Sequence, residues 1–300
     1  MKRSIPFLVV VVMAGSVVFA AQASQRSKHH SVNISTDDEK ALSDCDQIRM
    51  QIGDGDAVRA EQARTISAST ISSLKVRATQ NGGIHVQGWD RDEYSIKACI
   101  GAAAGTDLLS QIKLSVENGQ VTVQGPASQD WVAYLIIQTP KGSSLDLSAT
   151  NGPIGLNDVS GTIEAHNVNG PLTLHSVTGK VKAEVQNGPI TVAGGGGDYR
   201  LSVQNGPLTV VLADGEWTGG ELEGRTQNGP LTLDLAEGFR SSIIVDASKH
   251  SPVTCVAGPC RQAVRTWDQP NVIRFGEQTP VVRLSTVNGP VTLTSGEGKR

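Results

Sequence analysis

Residues 151–192 read NGPIGLNDVSGTIEAHNVNGPLTLHSVTGKVKAEVQNGPITV. The phrase Asn-Gly-Pro-aliphatic opens at Asn151, Asn169 and Asn187, and it recurs at Asn205, Asn228 and Asn288. The first four starts are 18 residues apart. Five of the six copies continue as aliphatic-Thr-aliphatic, as in Leu172-Thr173-Leu174 and Ile190-Thr191-Val192. A short fixed period predicts stacked copies of one small unit, not a compact enzyme core.

Each unit carries a second apolar–polar alternation opened by a glycine: Gly161-Thr162-Ile163-Glu164-Ala165, then Gly179-Lys180-Val181-Lys182-Ala183. Period two gives a strand one wet and one dry face. Leu172, Leu174, Val177, Val181, Ala183 and Val185 are expected to point inward, and Thr173, Lys180, Lys182 and Glu184 outward. Asn-Gly takes the positive φ of a tight corner, and Pro, lacking an N–H, suits the first position of a strand. The expected fold is therefore all-β, a β-solenoid or β-helix with coils of about 18 residues, each holding two or three strands.

Stacking in register puts equivalent residues above one another, about 4.8 Å apart. Outward columns then read Glu164, Lys182, Arg200; Thr162, Lys180, Asp198; and His166, Glu184, Ser202. The corner asparagines Asn151, Asn169, Asn187, Asn205, Asn228 and Asn288 are expected to serve as corner and ladder residues of the scaffold. The period breaks at 205–228 and again at 228–288, and the second break is expected to be a loop or a cap over exposed strand edges. Residues 143–236 carry the regular repeats, 45–142 a less regular version, and 237–297 an insertion and the final coil. In the irregular part, Asn81-Gly82-Gly83 and Asn118-Gly119 look like degenerate copies of the phrase, and Trp131–Gln138 reads as a buried strand.

The composition agrees with many short strands: 33 glycines, 4% aromatic and 18% charged residues in 300. A net charge of −3 gives no reason to expect nucleic acid. The first 23 residues read as a signal peptide, with Lys2 and Arg3 before an apolar run and Ala21-Gln22-Ala23 as cleavage site. Its removal takes the charge from −3 to −5. No later stretch is apolar enough for stable membrane insertion. Residues 24–44, rich in Ser, His and Asp, read as a disordered linker. The expected location is the periplasm, the exterior or the cell surface.

Export permits disulfides. Of the four cysteines, Cys255 and Cys260 flank a Gly-Pro turn, which favours their pairing and leaves Cys45 with Cys99. Spacing leaves all three pairings open.

Catalytic signatures are missing: there is no G-x-S-x-G, H-E-x-x-H or P-loop. Gly194–Gly197 lacks the Lys-Ser/Thr of a phosphate cradle and reads as a turn; Asp54-Gly55-Asp56 lacks the rest of a calcium loop. His85, His166 and His175 are expected to be outward and solvated, so no metal or cofactor is expected. The Thr column (Thr173, Thr191, Thr209) is single, unlike a paired ice-binding array. A polysaccharide-active β-helix enzyme would need three or more acidic or basic side chains converging in one groove.

Taken in order, residues 82–93, 137–142, 150–192 and 282–289 resemble the bacterial "putative adhesin" family of exported domains. The resemblance spans about 45–297. It implies a β-solenoid and a role at the envelope or surface, and it supplies no catalytic residues. The expected function is non-enzymatic adhesion or envelope interaction with an unidentified protein or glycan. The alternative is a periplasmic module that senses an envelope partner.

Overall fold

A computed structural model describes residues 32–36, 42–78, 81–249, 251–258, 260, 264–266, 269–276 and 278–295. The signal peptide expected at 1–23 lies outside them. The N-terminal part holds β1 (Val32–Thr36), β2 (Ile48–Ile52), β3 (Gly55–Asp56), β4 (Val58–Ser67), β5 (Leu74–Arg77), β6 (Ile84–Trp89), β7 (Glu93–Ala102), β8 (Lys113–Glu117), β9 (Gln120–Gln124) and β10 (Trp131–Pro140). The regular part holds β11 (Leu145–Asn151), β12 (Ile154–Asn157), β13 (Ser160–Asn169), β14 (Leu172–His175), β15 (Thr178–Asn187), β16 (Ile190–Ala193), β17 (Gly196–Asn205), β18 (Leu208–Leu212), β19 (Leu222–Asn228) and β20 (Leu231–Leu235). The C-terminal part holds β21 (Ser241–Ala247), β22 (Val253–Cys255), β23 (Val264–Thr266), β24 (Gln269–Phe275), β25 (Gln278–Asn288) and β26 (Val291–Ser295).

The protein is all-β. Two large mixed sheets, of 11 and 12 strands, enclose one apolar core and do not close into a barrel. In the regular part the chain alternates between them. A strand of up to ten residues joins the long-strand sheet (β11, β13, β15, β17, β19); a strand of four or five joins the short-strand sheet (β12, β14, β16, β18, β20). Each 18-residue period thus contains two strands, not three. Neighbours pair in parallel, one period apart: Ile163 with Val181 and Val181 with Tyr199, Leu172 with Ile190 and Ile190 with Leu208. The residues expected to point inward (Leu172, Leu174, Val177, Val181, Ala183, Val185) are all buried.

Both ends depart from sequence order. At the N-terminal end β9 and β10 stack outside β5 and β6, although they follow them in the chain. At the C-terminal end β25 and β26 slot inside β21 and β22. The 229–287 insertion is therefore not a loop. It supplies the outermost turn, with β23 and β24 pairing on its edge, and the last Asn-Gly-Pro copy returns beneath it. Covering the last parallel strands with antiparallel ones (β24 here; β4, β7 and β8 at the other end) limits the run of open parallel edges.

Three expectations are corrected. Residues 24–44 are not a linker throughout: Val32–Thr36 pairs antiparallel with β2, because Val32 and Ile34 pack on a second small core. That core covers the outer face of β7 and β10 with Leu42, Ile48, Met50 and Ile52 against Val132, Tyr134 and Ile136. It explains why β10 is apolar on both faces. Asn118-Gly119 is not a coil corner but the tight turn of the β8–β9 hairpin, with φ of 50° and 77°. His85 is not solvated but 1% exposed.

Candidate functional site: two unlike outer faces

The corner residues form a continuous ladder along one edge of the stack. Each asparagine donates Nδ2 to Oδ1 of the preceding rung: Asn169 to Asn151 (2.8 Å), Asn187 to Asn169 (2.9 Å), Asn205 to Asn187 (3.0 Å), Asn228 to Asn205 (2.9 Å) and Asn288 to Asn228 (2.9 Å). Asn151 extends it to Asn81 at 3.2 Å. The following glycines lie against the backbone of the coil below; a Cβ on Gly188 would run into the Gly170 carbonyl oxygen. Each proline then accepts at its carbonyl from the neighbouring strand, as Leu172 N–H to Pro189 O (2.9 Å). Asn, Gly and Pro are all engaged in holding the corner.

Both disulfides are formed. Cys45–Cys99, with a Cα–Cα distance of 5.3 Å, ties the small N-terminal core to β7. Cys255–Cys260, at 5.8 Å, closes the turn after β22. Gly194–Gly197 carries no cradle: Gly195 and Gly197 sit where a Cβ would strike the Val177 and Gly179 carbonyls. The space above them is filled by Tyr199 and Trp217, edge to face at 4.9 Å. Tyr199 Oη donates to Val177 O (2.6 Å) and Trp217 Nε1 to Gly197 O (3.0 Å). Burial pushes the Tyr199 phenol well above its usual range. The residues inserted between β18 and β19 thus deliver an aromatic plug.

Of the histidines, His166 is exposed, 3.1 Å from Glu184, and His175 lies 3.3 Å from the Ser176 hydroxyl. His85 sits on β6 between Gly155 and Ile136, with Asn157 Nδ2 3.4 Å from its Nε2. Burial pushes its pKa down to about 4. Asp44, Cys45 and Glu61 lie close together, but Cys45 is consumed by its disulfide and Lys97 bridges Asp44 (3.3 Å) and Glu61 (3.6 Å). The chemistry of that set does not suit a metal.

The two outer faces differ in kind. On the short-strand sheet, Thr173, Thr191, Thr209, Thr232, Thr292 and Thr254 stand side by side in register. A row of prolines from Pro153 to Pro290 flanks them, and Pro252 completes it. The adjoining outward row reads His175, Ala193, Val211 and Asp234, so this face is nearly free of charge. Thr254 was not legible as part of the column, because Ser251-Pro252-Val253-Thr254 keeps Pro-aliphatic-Thr but lacks Asn-Gly.

The long-strand sheet is strongly charged. A shallow hollow of about 450 Å³ lies over β13, β15, β17 and β19, among Glu164, Lys180, Lys182, Asp198, Arg200, Glu221 and Glu223. A second, of about 340 Å³, adjoins it over Arg77, Asp146, His166 and Glu184. Arg77 grips Asp146 through Nη1 and Nη2 (2.8 and 2.9 Å), which holds that carboxyl below the usual range. The Glu184 carboxylate, 3.0 Å away, raises the Lys182 ammonium pKa. The Glu221 amide donates to Asp198 at 3.2 Å. Acids and bases do converge here, largely exposed, with both signs mixed over the face.

No protein-family model matches the chain, and no curated protein matches it. Similar solved structures include a "putative cell adhesion protein" from Clostridium sporogenes at 11% identity, covering 80% of this chain and 100% of that one, with a TM-score of 0.31. A "putative adhesin" from Parabacteroides merdae is 8% identical, covering 79% and 96%, with a TM-score of 0.39. A "putative lipid binding protein" from Parabacteroides distasonis is 11% identical, covering 78% and 96%, with a TM-score of 0.35. Among the described residues no helix is long and apolar enough to cross a membrane.

Proposed function

We propose that this chain is an exported, non-enzymatic β-solenoid of the cell envelope or surface, and that it adheres through the threonine–proline face of the short-strand sheet. The solenoid reading is supported by parallel pairing at a constant 18-residue offset through four successive turns. The observation that carries the adhesive reading is the row of six in-register threonines beside stacked prolines, almost without charge. Ordered hydroxyls at about 4.8 Å intervals on a rigid backbone suit an extended neutral partner, a glycan or a peptide strand. Putting lysines into the middle of the row, Thr191→Lys with Thr209→Lys, removes capture of envelope fractions by the purified chain while leaving its melting curve in place. Capture unchanged by that pair, or no capture by the parent chain, contradicts the reading. Surface labelling of intact cells separates adhesion from a periplasmic sensing role.

A hydrolytic site in the charged hollow is the second reading, favoured by the convergence of Glu164, Asp198, Glu221 and Glu223 with Lys180, Lys182 and Arg200. Release of reducing ends from envelope polysaccharide, lost in Glu164→Gln and Glu223→Gln, would establish it in place of the first.

A further inference from the structure

Over the six strands from β5 to β19 the central charged column of the long-strand sheet is complementary to its own reverse; beyond them it continues to Arg283 on β25 and, at the other end, to the uncharged Gln120 on β9. From β5 to β19 one outward position per strand carries Lys75, Asp146, Glu164, Lys182, Arg200 and Glu223, all in register. The signs run plus, minus, minus, plus, plus, minus. Read backwards, every one of the six signs is inverted. We propose that this face is an interface between two copies of the chain, packed face to face with their stacks antiparallel. The two-fold axis runs along the strand direction between β13 and β15.

In that arrangement Lys75 faces the partner's Glu223, Asp146 the partner's Arg200, and Glu164 the partner's Lys182. Two-fold symmetry makes each contact twice. The register is specified as well as permitted. A slip of one strand in one direction sets Lys75 against the partner's Arg200 and Glu164 against itself. A slip in the other sets Asp146 against the partner's Glu223 and Lys182 against itself. Like charges face each other in both slipped forms, which disfavours them.

The flanking columns fit the same axis. His166 faces the partner's Glu184, Ser148 the partner's Ser202 and Thr162 the partner's Lys180. Arg77 against the partner's Arg225 is the one like pair, and Arg77 is already neutralised by the Asp146 carboxylate. Within one copy, Asp146 lies beside Glu164 and Lys182 beside Arg200 on adjacent strands, and Arg77 and Glu184 offset only one member of each like-charged pair. A second copy brings Lys182 to Glu164 and Asp146 to Arg200. Six strands about 4.8 Å apart and three outward columns about 6.7 Å apart give roughly 600 Å² per copy, at the lower end of the ~800 ± 200 Å² of an ordinary stable interface. Because the contact is ionic, it weakens with salt.

Sedimentation equilibrium of the exported chain at low and high salt tests this, together with Lys75→Glu, Glu223→Lys and the double swap. The two residues are five strands, about 24 Å, apart within one copy, more than twice the ~10 Å screening length at 0.1 M salt. Restoration by the swap therefore has to act between copies. The expected result is a dimer at 50 mM salt, at least tenfold weaker in each single reversal and in high salt, and recovered in the swap. Both side chains are exposed, so all variants still fold and melt in a cooperative transition. A monomer at ~100 µM in low salt, a dimer indifferent to the reversals, or a swap as weak as the singles overturns the proposal.

Discussion

The Asn187 side chain donates to Asn169 Oδ1 at 2.9 Å and accepts from Asn205 Nδ2 at 3.0 Å, so one exposed residue links three successive turns. Asn187→Ala removes both bonds and leaves two amides to water. At an exposed corner the cost is about 1 kcal/mol, or a melting temperature lower by about 2–4 °C. Differential scanning calorimetry reads this directly, and an unchanged curve would leave the ladder without a stabilising role.

Gly188, one residue on, carries a much stricter requirement. Its φ is +146°, and a Cβ would collide with the Gly170 carbonyl, an atom fixed by the coil below. Gly188→Ala is expected to cost more than about 3 kcal/mol, several times the Asn187→Ala effect. Urea unfolding of the two variants side by side measures the ratio.

The two disulfides differ in the loop they close. Cys45–Cys99 spans a sequence separation of 54 and Cys255–Cys260 one of 5. Loop-closure entropy assigns roughly 4 kcal/mol to the first and about 2 to the second. Paired Cys→Ser variants should rank in that order on urea unfolding, with the Cys45/Cys99 pair also loosening the small core over β10.

His85 makes stability depend on pH. Its folded pKa, about 4, lies below the ordinary 6.5, so the unfolded chain binds more protons between those values. The contribution is therefore complete above pH 6.5 and is lost as pH falls toward 4, by up to about 3 kcal/mol. Asp146, held down by Arg77, adds a smaller loss in the same direction at lower pH, discounted because both side chains are more than a third exposed. His85→Gln should flatten the slope of melting temperature between pH 7 and 5; an equal slope in both proteins would show that the imidazole is not the cause.

Much of this architecture was legible because the repeat constrains it. An 18-residue period, alternation of apolar residues and the Asn-Gly-Pro corner specify parallel strands in register, the buried set and the outward columns. The threonine row and the charged column follow from the same arithmetic for the regular turns. What was misread lay where local signals are ambiguous. Asn118-Gly119 serves a hairpin as well as Asn81-Gly82 serves a coil corner, and nothing within a few residues distinguishes them. His85 looks outward by parity, and it does point outward from the coil. A second layer, built from residues 42–57 and pinned by Cys45–Cys99, lies over the neighbouring strands of that face.

The sequence by itself determined the all-β character, the corner chemistry and the face each residue of the regular turns presents, because those depend on a period of two within a period of eighteen. Tertiary structure alone decided the order in which the terminal turns stack. Placing β10 outside β6 and β25 inside β21 depends on which strand edge is left to be covered, a long-range choice that no local pattern encodes. It also decided that six charges scattered over 149 residues from Lys75 to Glu223 form one line whose reverse is its complement.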